Sequence, residues 1–263
     1  MTDSRTGRSE GLKRQKISIL GVQVNDISVS SAVSRILKLA FDSKKSHFVV
    51  TVNSEFVMLA RRNSQFCRIL SEADLALPDG AGIVFSKLIL GGKTHERITG
   101  VDLVEKLCRE SAKNAVRVGF LGGFGDVAAR VAKRQIRLNP SLKVVFVQPG
   151  DPTMGYDLRL KKALDDTGRV DILFVAYGMG QQEFWIARNL NKLNVGVFIG
   201  VGGAFDYISR VKRRAPVFFQ NIGFEWLWRL INQPQRIWRM RVLPPFLFLI
   251  LLKSLFRKFN LEK

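Results

Sequence analysis

Residues 51–100 read TVNSEFVMLARRNSQFCRILSEADLALPDGAGIVFSKLILGGKTHERITG, and the polar groups in this segment lie where apolar runs stop. Thr51 and Asn53 end a β-branched run. Pro78-Asp79-Gly80 follows a second short apolar run, and Glu96-Arg-Ile-Thr-Gly100 precedes a helical pattern. α/β proteins keep their reactive groups at strand ends in this way. We therefore expect the functional site of the chain to lie here.

Segments with strand and helix periodicity alternate on both sides of this region. The sequence predicts a strand or small hairpin at 16–24 and strands at 47–52, 74–77, 116–121, 142–147, 171–177 and 195–201. It predicts helices at 29–41, 54–70, 82–90, 99–114, 126–138, 158–164 and 182–193. The alternation from residue 47 to 205 indicates an α/β fold, with a mostly parallel sheet and helices on both faces.

The chain has 263 residues and a formal net charge of +20, which indicates an anionic partner. Nucleic acid, an anionic lipid surface and a phosphorylated substrate all fit that charge. Residues 1–15 are polar, so we expect a disordered tail there and no signal peptide. The longest apolar run, Val242–Leu252, is shorter than the roughly 18–20 residues of a membrane-spanning helix.

A change in composition at Ser209 predicts a catalytic core at 16–208 and a separate appendage at 209–263. The appendage contains twelve Lys and Arg against two Glu, and three of the four Trp. It shows no strand-like pattern. Three prolines are predicted to divide it into short helices: Pro216, Pro234 and Pro244.

The appendage combines basic and apolar residues in an order typical of a membrane-interface segment. Arg229, Arg236 and Arg239 are spaced by seven and three residues, so they fall on one helical side unless Pro234 breaks the register. The apolar LPPFLFLILL at 243–252 follows, and basic residues flank it. Packing on the core as a helical subdomain is the alternative. Nucleic-acid binding fits less well, because the apolar run has no use there.

Asp79 and the glycine-rich turn at 122–126 each have two interpretations. Pro-Asp-Gly is favoured in turns for local reasons, but it also places a carboxylate at a strand end, where it can act as a general base.

Gly122 and Gly123 could present backbone N–H groups to a phosphate or could form a tight strand–helix turn. The spacing differs from a dinucleotide-binding motif and no acidic residue ends the next strand, so NAD binding has weak support.

The sequence gives no indication of a metal site. Its two histidines, His47 and His95, have no neighbours at metal-ligand spacing, and no Asp-x-Asp occurs in the chain. An enzyme that handles a sugar nucleotide without metal must neutralise the diphosphate with cationic side chains and backbone dipoles. Arg97 is the natural candidate, and a surface ion pair with Glu96 is its alternative. We expect neither a metal nor an organic cofactor.

From about Leu20 to Met240 the chain resembles the WecG/TagA/CpsF family of bacterial glycosyltransferases, glycosyltransferase family 26. The order and spacing of several short motifs carry this resemblance, since each motif alone is weak. The motifs are Thr51-x-Asn53, Ala73-Asp-Leu-Ala-Leu-Pro-Asp-Gly80, Glu96-Arg-Ile-Thr-Gly-Val-Asp102, Asp171-Ile-Leu-Phe-Val-Ala-x-Gly178, Gln182-Glu183, Gly200-Val-Gly-Gly-Ala-Phe-Asp206, Arg214-Ala-Pro216 and Gly223-x-Glu-Trp-Leu-x-Arg229. One segment departs from the family pattern: Gly178-Met-Gly-Gln-Gln-Glu183 stands where Gly-x-Pro-Lys-Gln-Glu is expected.

The resemblance implies a Rossmann-like core and an inverting, metal-independent transfer of a sugar from a UDP-sugar to a polyprenyl-diphosphate-linked saccharide. It implies that Asp79 is the general base. The other residues that it implies around the sugar, the diphosphate and the uracil are Thr51, Asn53, Arg97, Gln182 and Asp206. The glycine turns Gly122-Gly123 and Gly202-Gly203 are further candidates for substrate binding. The appendage arginines Arg229, Arg236 and Arg239 are implied to close the site as the appendage docks at the membrane.

A protein of this kind would act in the synthesis of a cell-surface polysaccharide or a teichoic-acid-type polymer. It would be peripheral, at the cytoplasmic face of the inner (plasma) membrane, with an anionic membrane surface and no nucleic acid among its partners. The donor sugar stays open among N-acetylmannosamine, its uronic acid, glucose and other sugars. A homo-oligomer could mask the apolar appendage away from the membrane. A NAD-binding oxidoreductase on the same fold and a non-catalytic membrane scaffold are the alternative functions.

Overall fold

The computed structural model of the chain describes residues 16–221 and 223–259. The predicted tail at 1–15 lies outside the described residues. The strands are β1 (Lys16–Ile19), β2 (Val22–Asn25), β3 (His47–Val52), β4 (Leu75–Pro78), β5 (Arg117–Gly122), β6 (Lys143–Gln148), β7 (Val170–Ala176) and β8 (Val195–Gly200). The helices are α1 (Val29–Ala40), α2 (Ser54–Arg62), α3 (Ser64–Ser71), α4 (Ala81–Ile89), α5 (Gly100–Lys113), α6 (Val127–Leu138), α7 (Met154–Thr167), α8 (Gln181–Asn189), α9 (Ala204–Ile208), α10 (Val217–Asn221), α11 (Glu225–Asn232), α12 (Ile237–Met240) and α13 (Leu243–Phe259), with a 3₁₀ turn at Pro234–Arg236.

Six strands form one parallel sheet in the order β4-β3-β8-β7-β5-β6. The predicted Rossmann-like α/β architecture is therefore confirmed, although the strand order differs from the 3-2-1-4-5-6 of dinucleotide-binding folds. Because all six strands run the same way, their carboxyl ends meet at one edge of the sheet. Ligands of open α/β sheets bind at that edge.

The central strands are apolar throughout because both faces of the sheet are covered. All six residues of β3 are buried, as are all six of β8. Successive side chains alternate between two cores: Val49 packs with α1, α5, α6 and α9, whereas Phe48 and Val50 pack with α2, α3, α7 and α8. The prediction of helices on both faces is confirmed.

The antiparallel hairpin of β1 and β2 lies beside β4, the edge strand of the sheet. Asn25 Oδ1 accepts a hydrogen bond from the Ala76 N–H at 2.8 Å. Next to it, the buried Lys87 pairs with Asp26 at 3.1 Å. These contacts satisfy part of the exposed strand edge and fix α4, which begins two residues after Asp79.

The helix predicted at 54–70 is wrong in one respect, since the segment forms two helices, α2 and α3, that meet at Asn63. Asn63 adopts an extended backbone, and its side-chain oxygen accepts from the Phe66 N–H at 2.9 Å. Asn53 caps α2 in the same way, through the Phe56 N–H at 3.1 Å. The cap of α2 is therefore Asn53, as the strong N-cap preference of asparagine allows.

The segment after Ile208 consists of short helices and one long helix, α13. Pro234 begins the 3₁₀ turn, but Pro244 does not divide the chain as predicted, because it lies in the first turn of α13. A proline is tolerated there since the N–H groups of a first turn have no partner within the helix.

Helix α13 packs along α4 and α2 with one face buried against the core. Phe246 and Ile250 are fully buried on that face. Lys253 Nζ donates to the Ser18 carbonyl at 2.9 Å, and Arg257 donates to the Leu90 carbonyl. The opposite face exposes large apolar side chains: Phe248, Leu251, Leu252, Leu255 and Phe256. Within residues 16–221 and 223–259, no helix combines the length and apolarity needed to cross a membrane.

Candidate active site

A cleft lies over the carboxyl ends of β3, β4, β7 and β8. Its central part, of about 270 Å³, is lined by most of the predicted site residues: Thr51, Asn53, Asp79, Gln182, Gly202, Gly203, Asp206, Arg229, Arg236 and Arg239. An outer part of about 130 Å³ shares Asn53, Asp79, Arg229 and Arg236 with the central part and adds Arg97. The fold thus brings residues from six separate segments of the chain into one space.

Asp79 lies between the central and outer parts of the cleft. Its N–H donates to the Val52 carbonyl at 2.8 Å, and the Pro78 carbonyl accepts from the Ile98 N–H at 2.8 Å. Gly80 follows with φ +89°, a conformation that favours glycine, so the chain can turn at once into α4. The backbone on both sides of Asp79 is fixed, and the residue is half-buried where it lines the cleft.

Burial raises the pKa of the Asp79 carboxyl from 3.8 to about 6, although Arg229 and Arg97 act in the opposite direction. Glu225 and Asp102 add to the rise. No side chain in the described part of the chain forms an ion pair or a hydrogen bond with the carboxyl. A carboxylate of this pKa is ionised at neutral pH and is more basic than an ordinary aspartate, as a general base requires.

Thr51 and Asn53 are held by their own structural contacts. The Thr51 hydroxyl donates to the Gly200 carbonyl at 3.1 Å, which joins the ends of β3 and β8. Asn53 uses its side-chain oxygen to cap α2, so its amide nitrogen is the group that remains for a ligand. Both residues line the central cleft.

Arg97 does not form the surface ion pair with Glu96 that sequence proximity allows. Glu96 accepts from the Val29 N–H at 2.6 Å, at the start of α1, and Arg97 instead pairs with Glu225 at 3.1 Å. The other carboxylate oxygen of Glu225 pairs with Arg229. Arg229 also lies over the Tyr207 ring, with the guanidinium carbon 4.8 Å from the ring centre.

Arg229, Arg236 and Arg239 lie on three different elements, because Pro234 breaks the helical register between them. All three nevertheless line the central cleft. Arg239 pairs with Glu55 at 2.6 Å, whereas the Arg236 Nε donates to the Gln233 side chain at 2.7 Å. Among the described cleft residues, Arg236 is the arginine without a carboxylate partner, so its charge is available to an anionic ligand.

Gln182 is buried in a chain of hydrogen bonds at the start of α8. Its side-chain oxygen accepts from the Gly202 N–H at 2.9 Å, and its Nε2 donates to Glu183 at 2.6 Å. The second oxygen of Glu183 accepts from the Gly180 N–H at 2.7 Å. Gly180 has φ +86°. A proline could provide neither that φ nor that N–H, so this turn requires the glycine that the sequence has.

The glycine turns differ in their relation to the cleft. Gly202 and Gly203 line its central part beside Asp206, which pairs with Lys212. Gly123 lines an adjoining hollow of about 350 Å³ that also contains Gly202, Gly203 and Asp206. The Gly123 N–H donates to the Ala176 carbonyl at 3.1 Å, so it is occupied within the protein. Gly122 ends β5 against the backbone of Ala176 and lines neither part of the Asp79 cleft.

Sequence reasoning missed three charged residues of the cleft: Glu55, Lys212 and Glu225. Glu55 could have been found, since it lies two residues after Asn53 in the first turn of a predicted helix. Glu225 is part of a quoted motif, but its neighbours in sequence give no sign that it meets Arg97. Lys212 is one of several basic residues in a row.

The cleft combines one basic carboxylate with a group of arginines at the carboxyl edge of a parallel sheet. Among residues 16–221 and 223–259, no three His, Cys, Asp or Glu side chains are grouped so that they could hold a metal ion. The arrangement is chemically suited to a transferase that removes a proton from one substrate and binds the diphosphate of another.

The chain belongs to the glycosyl transferase WecG/TagA/CpsF family, whose model matches residues 17–260. It is 32% identical over 226 residues to an N-acetylglucosaminyldiphosphoundecaprenol N-acetyl-beta-D-mannosaminyltransferase of Bacillus spizizenii, a match that covers 86% of this chain and 87% of that protein. It is 29% identical over 240 residues to a Staphylococcus aureus protein of the same name, with 89% and 92% covered. The family predicted from the motifs is therefore confirmed.

Proposed function

We propose that the protein transfers a sugar from a UDP-sugar to a polyprenyl-diphosphate-linked saccharide. By analogy with the two relatives, the sugar is N-acetylmannosamine and the acceptor is N-acetylglucosaminyl diphosphoundecaprenol. The observation that carries the proposal is Asp79, a carboxylate with a pKa of about 6 that faces Arg97 and Arg229 in a cleft at the sheet edge. The product is the lipid-linked precursor of a cell-envelope polymer.

The proposed reaction is a single displacement. Asp79 accepts the proton of the acceptor hydroxyl as that oxygen attacks the anomeric carbon of the donor sugar. The bond from the anomeric carbon to the diphosphate breaks, and its electron pair leaves with UDP. Attack opposite the leaving group inverts the anomeric centre, so no second carboxylate is required as a nucleophile.

Arginine side chains and backbone N–H groups are proposed to stabilise the departing UDP without a metal ion. Arg236 lines both parts of the cleft without a carboxylate partner among the described residues, Arg229 also lines both parts, and Arg97 lines the outer part beside Asp79. Gln182, Gly202, Gly203 and Asp206 lie together beyond Asp79. We assign this end of the central cleft to the uridine diphosphate of the donor.

The acceptor is proposed to enter through the outer part of the cleft. Three apolar side chains from the C-terminal segment of the chain line this outer part: Trp226, Met240 and Leu243. Leu243 is the first residue of α13, whose exposed face carries Phe248, Leu251 and Phe256. We propose that this face lies in the cytoplasmic leaflet of the plasma membrane, so that the protein is peripheral and meets its lipid-linked acceptor there.

The substitution Asp79→Asn tests this proposal. An amide of the same size cannot accept the proton, so turnover is expected to fall by about 10²- to 10⁴-fold while UDP still binds. In the wild type, kcat/KM should fall as the pH is lowered through about 6, because the base must be ionised. Turnover with the UDP-sugar and the lipid-linked acceptor, and UDP binding by calorimetry, provide the two measurements. Unchanged turnover in the variant would remove Asp79 as the base.

A further inference from the structure

Glu225 is a nearly fully buried carboxylate at the start of α11. One of its oxygens pairs with Arg97 at 3.1 Å, and the other pairs with Arg229. Arg97 comes from the loop before α5, whereas Arg229 lies one helical turn after Glu225. A single carboxylate therefore joins the sheet domain to the C-terminal helices at the edge of the cleft.

The two arginines lie close to a second carboxylate, Asp79, with which they form no ion pair in the structure. Both guanidinium groups line the outer cleft beside it. Arg97 and Arg229 are partly buried, and a partly buried arginine is stabilised by an anionic partner, since an uncompensated charge away from water is costly. Glu225 satisfies this need for both arginines at once, and the Asp79 carboxyl is left open to the cleft.

We propose that Glu225 is a positioning residue that holds Arg97 and Arg229 beside Asp79 and prevents either guanidinium from closing on it. This inference rests on the proposed function for the role of Asp79 as base. It assigns to Glu225 two effects that follow from one geometry: the cations stay near the leaving diphosphate, and the base stays free to accept a proton.

The charges around Asp79 determine how the loss of Glu225 would act. The charged groups that act on the pKa of Asp79 are Arg97, Arg229, Glu225 and Asp102. The other charged residues that line the described cleft are Glu55, Asp206, Lys212, Arg236 and Arg239. Glu225 raises the pKa of Asp79, and the two arginines lower it. Removal of the Glu225 charge therefore lowers this pKa directly, and it lowers the pKa again if a released arginine pairs with Asp79.

The test compares Glu225→Gln with Glu55→Gln, which removes a carboxylate from another arginine pair of the same cleft. The full-length protein is labelled with ¹³C at aspartate carboxyl carbons, and the Asp79 signal is assigned by its loss in Asp79→Asn. We expect Asp79 to titrate at lower pH in Glu225→Gln than in the wild type. In Glu55→Gln we expect it to titrate as in the wild type.

Kinetics provide the second readout. The acid limb of kcat/KM should move to lower pH in Glu225→Gln, and kcat on its plateau should fall on the order of 10- to 100-fold, because the cations and the base are misplaced. Glu225→Asp, which keeps the charge, should restore the titration of Asp79 towards that of the wild type. If Glu225→Gln fails to fold, the Asp79 titration and the kinetics are measured on Glu225→Asp instead.

An Asp79 titration that is unchanged in Glu225→Gln, or equally shifted in Glu55→Gln, would overturn the inference. A wild-type protein without transferase activity, but with the NMR shift in Glu225→Gln, would instead overturn the proposed function and leave the coupling of Glu225 to Asp79 in place.

Discussion

Glu183 is a buried carboxyl that accepts a hydrogen bond from the cleft residue Gln182, and its burial makes the stability of the fold depend on pH. Burial raises its pKa from 4.5 to about 7, although Gln182 and the Gly180 N–H favour the ionised form. The folded protein thus binds a proton more tightly here than the unfolded chain does. The contribution of this proton to the free energy of unfolding is therefore fully present below about pH 4.5. It is lost as the pH rises to about 7.

The substitution Glu183→Gln removes this titration. Relative to the wild type, the variant should gain stability as the pH rises from 5 to 8, by up to roughly 3 kcal/mol from the pKa difference alone. Its amide cannot accept from both the Gly180 N–H and Gln182, so the donor KM should rise. Thermal unfolding at several pH values and donor kinetics check both effects. Asp165→Asn, which removes an exposed ion pair with Lys161, is the control. Its difference in stability from the wild type should not change with pH over this range.

Residue patterns and the family resemblance predicted Asp79 and most residues of its cleft, but they did not predict how the charged residues pair. A Pro-Asp-Gly at a strand end can be found by reading along the chain, because strand, turn and helix are consecutive there. The partner of Arg97 cannot be found in this way, since Glu96 is adjacent in sequence and the actual partner, Glu225, is far away in sequence. Glu96 bonds the first N–H of α1 instead, and this choice depends on how α1 and the loop before α5 pack.

At the scale of elements, apolar periodicity predicted every strand of the sheet and most helices. It failed at Asn63, where the pattern of α2 continues into α3 almost without a phase change. Two asparagine caps, Asn53 and Asn63, mark the true starts of these helices. The periodicity also could not show that Pro244 begins a helix, because the same residue can end one.

Helix α13 carries the prediction about the membrane. Phe248 and Phe256 are 65% and 61% exposed on its outer face. Their replacement by serine should leave the fold intact and weaken binding to anionic vesicles about tenfold or more, because each ring loses its transfer from water to the interface. Co-sedimentation with vesicles containing phosphatidylglycerol measures this effect.

Phe41→Ser is the matched control, since Phe41 is 62% exposed directly after α1, on a different part of the surface. It should bind vesicles as the wild type does. Equal binding by the α13 double variant and the wild type would contradict the proposed membrane contact.

At the scale of the whole molecule, the cleft should recognise one class of nucleotide. UDP at about 100 times its dissociation constant should stabilise the protein by about 2.7 kcal/mol, which raises its melting temperature by several degrees. We expect the same shift with EDTA present and a smaller shift with GDP, CDP or NAD. A strict requirement for Mg²⁺, or stabilisation by NAD, would contradict the proposed metal-independent UDP-sugar transferase.

The outer cleft ends at Leu243, where α13 begins. If the apolar face of α13 rests in lipid, the protein and its acceptor are confined to the same plane, and their encounters depend on lateral diffusion. The rate would then follow the mole fraction of acceptor within the bilayer. Added inert lipid would dilute the reaction even at a constant total amount of acceptor, whereas the soluble donor would obey ordinary bulk concentration.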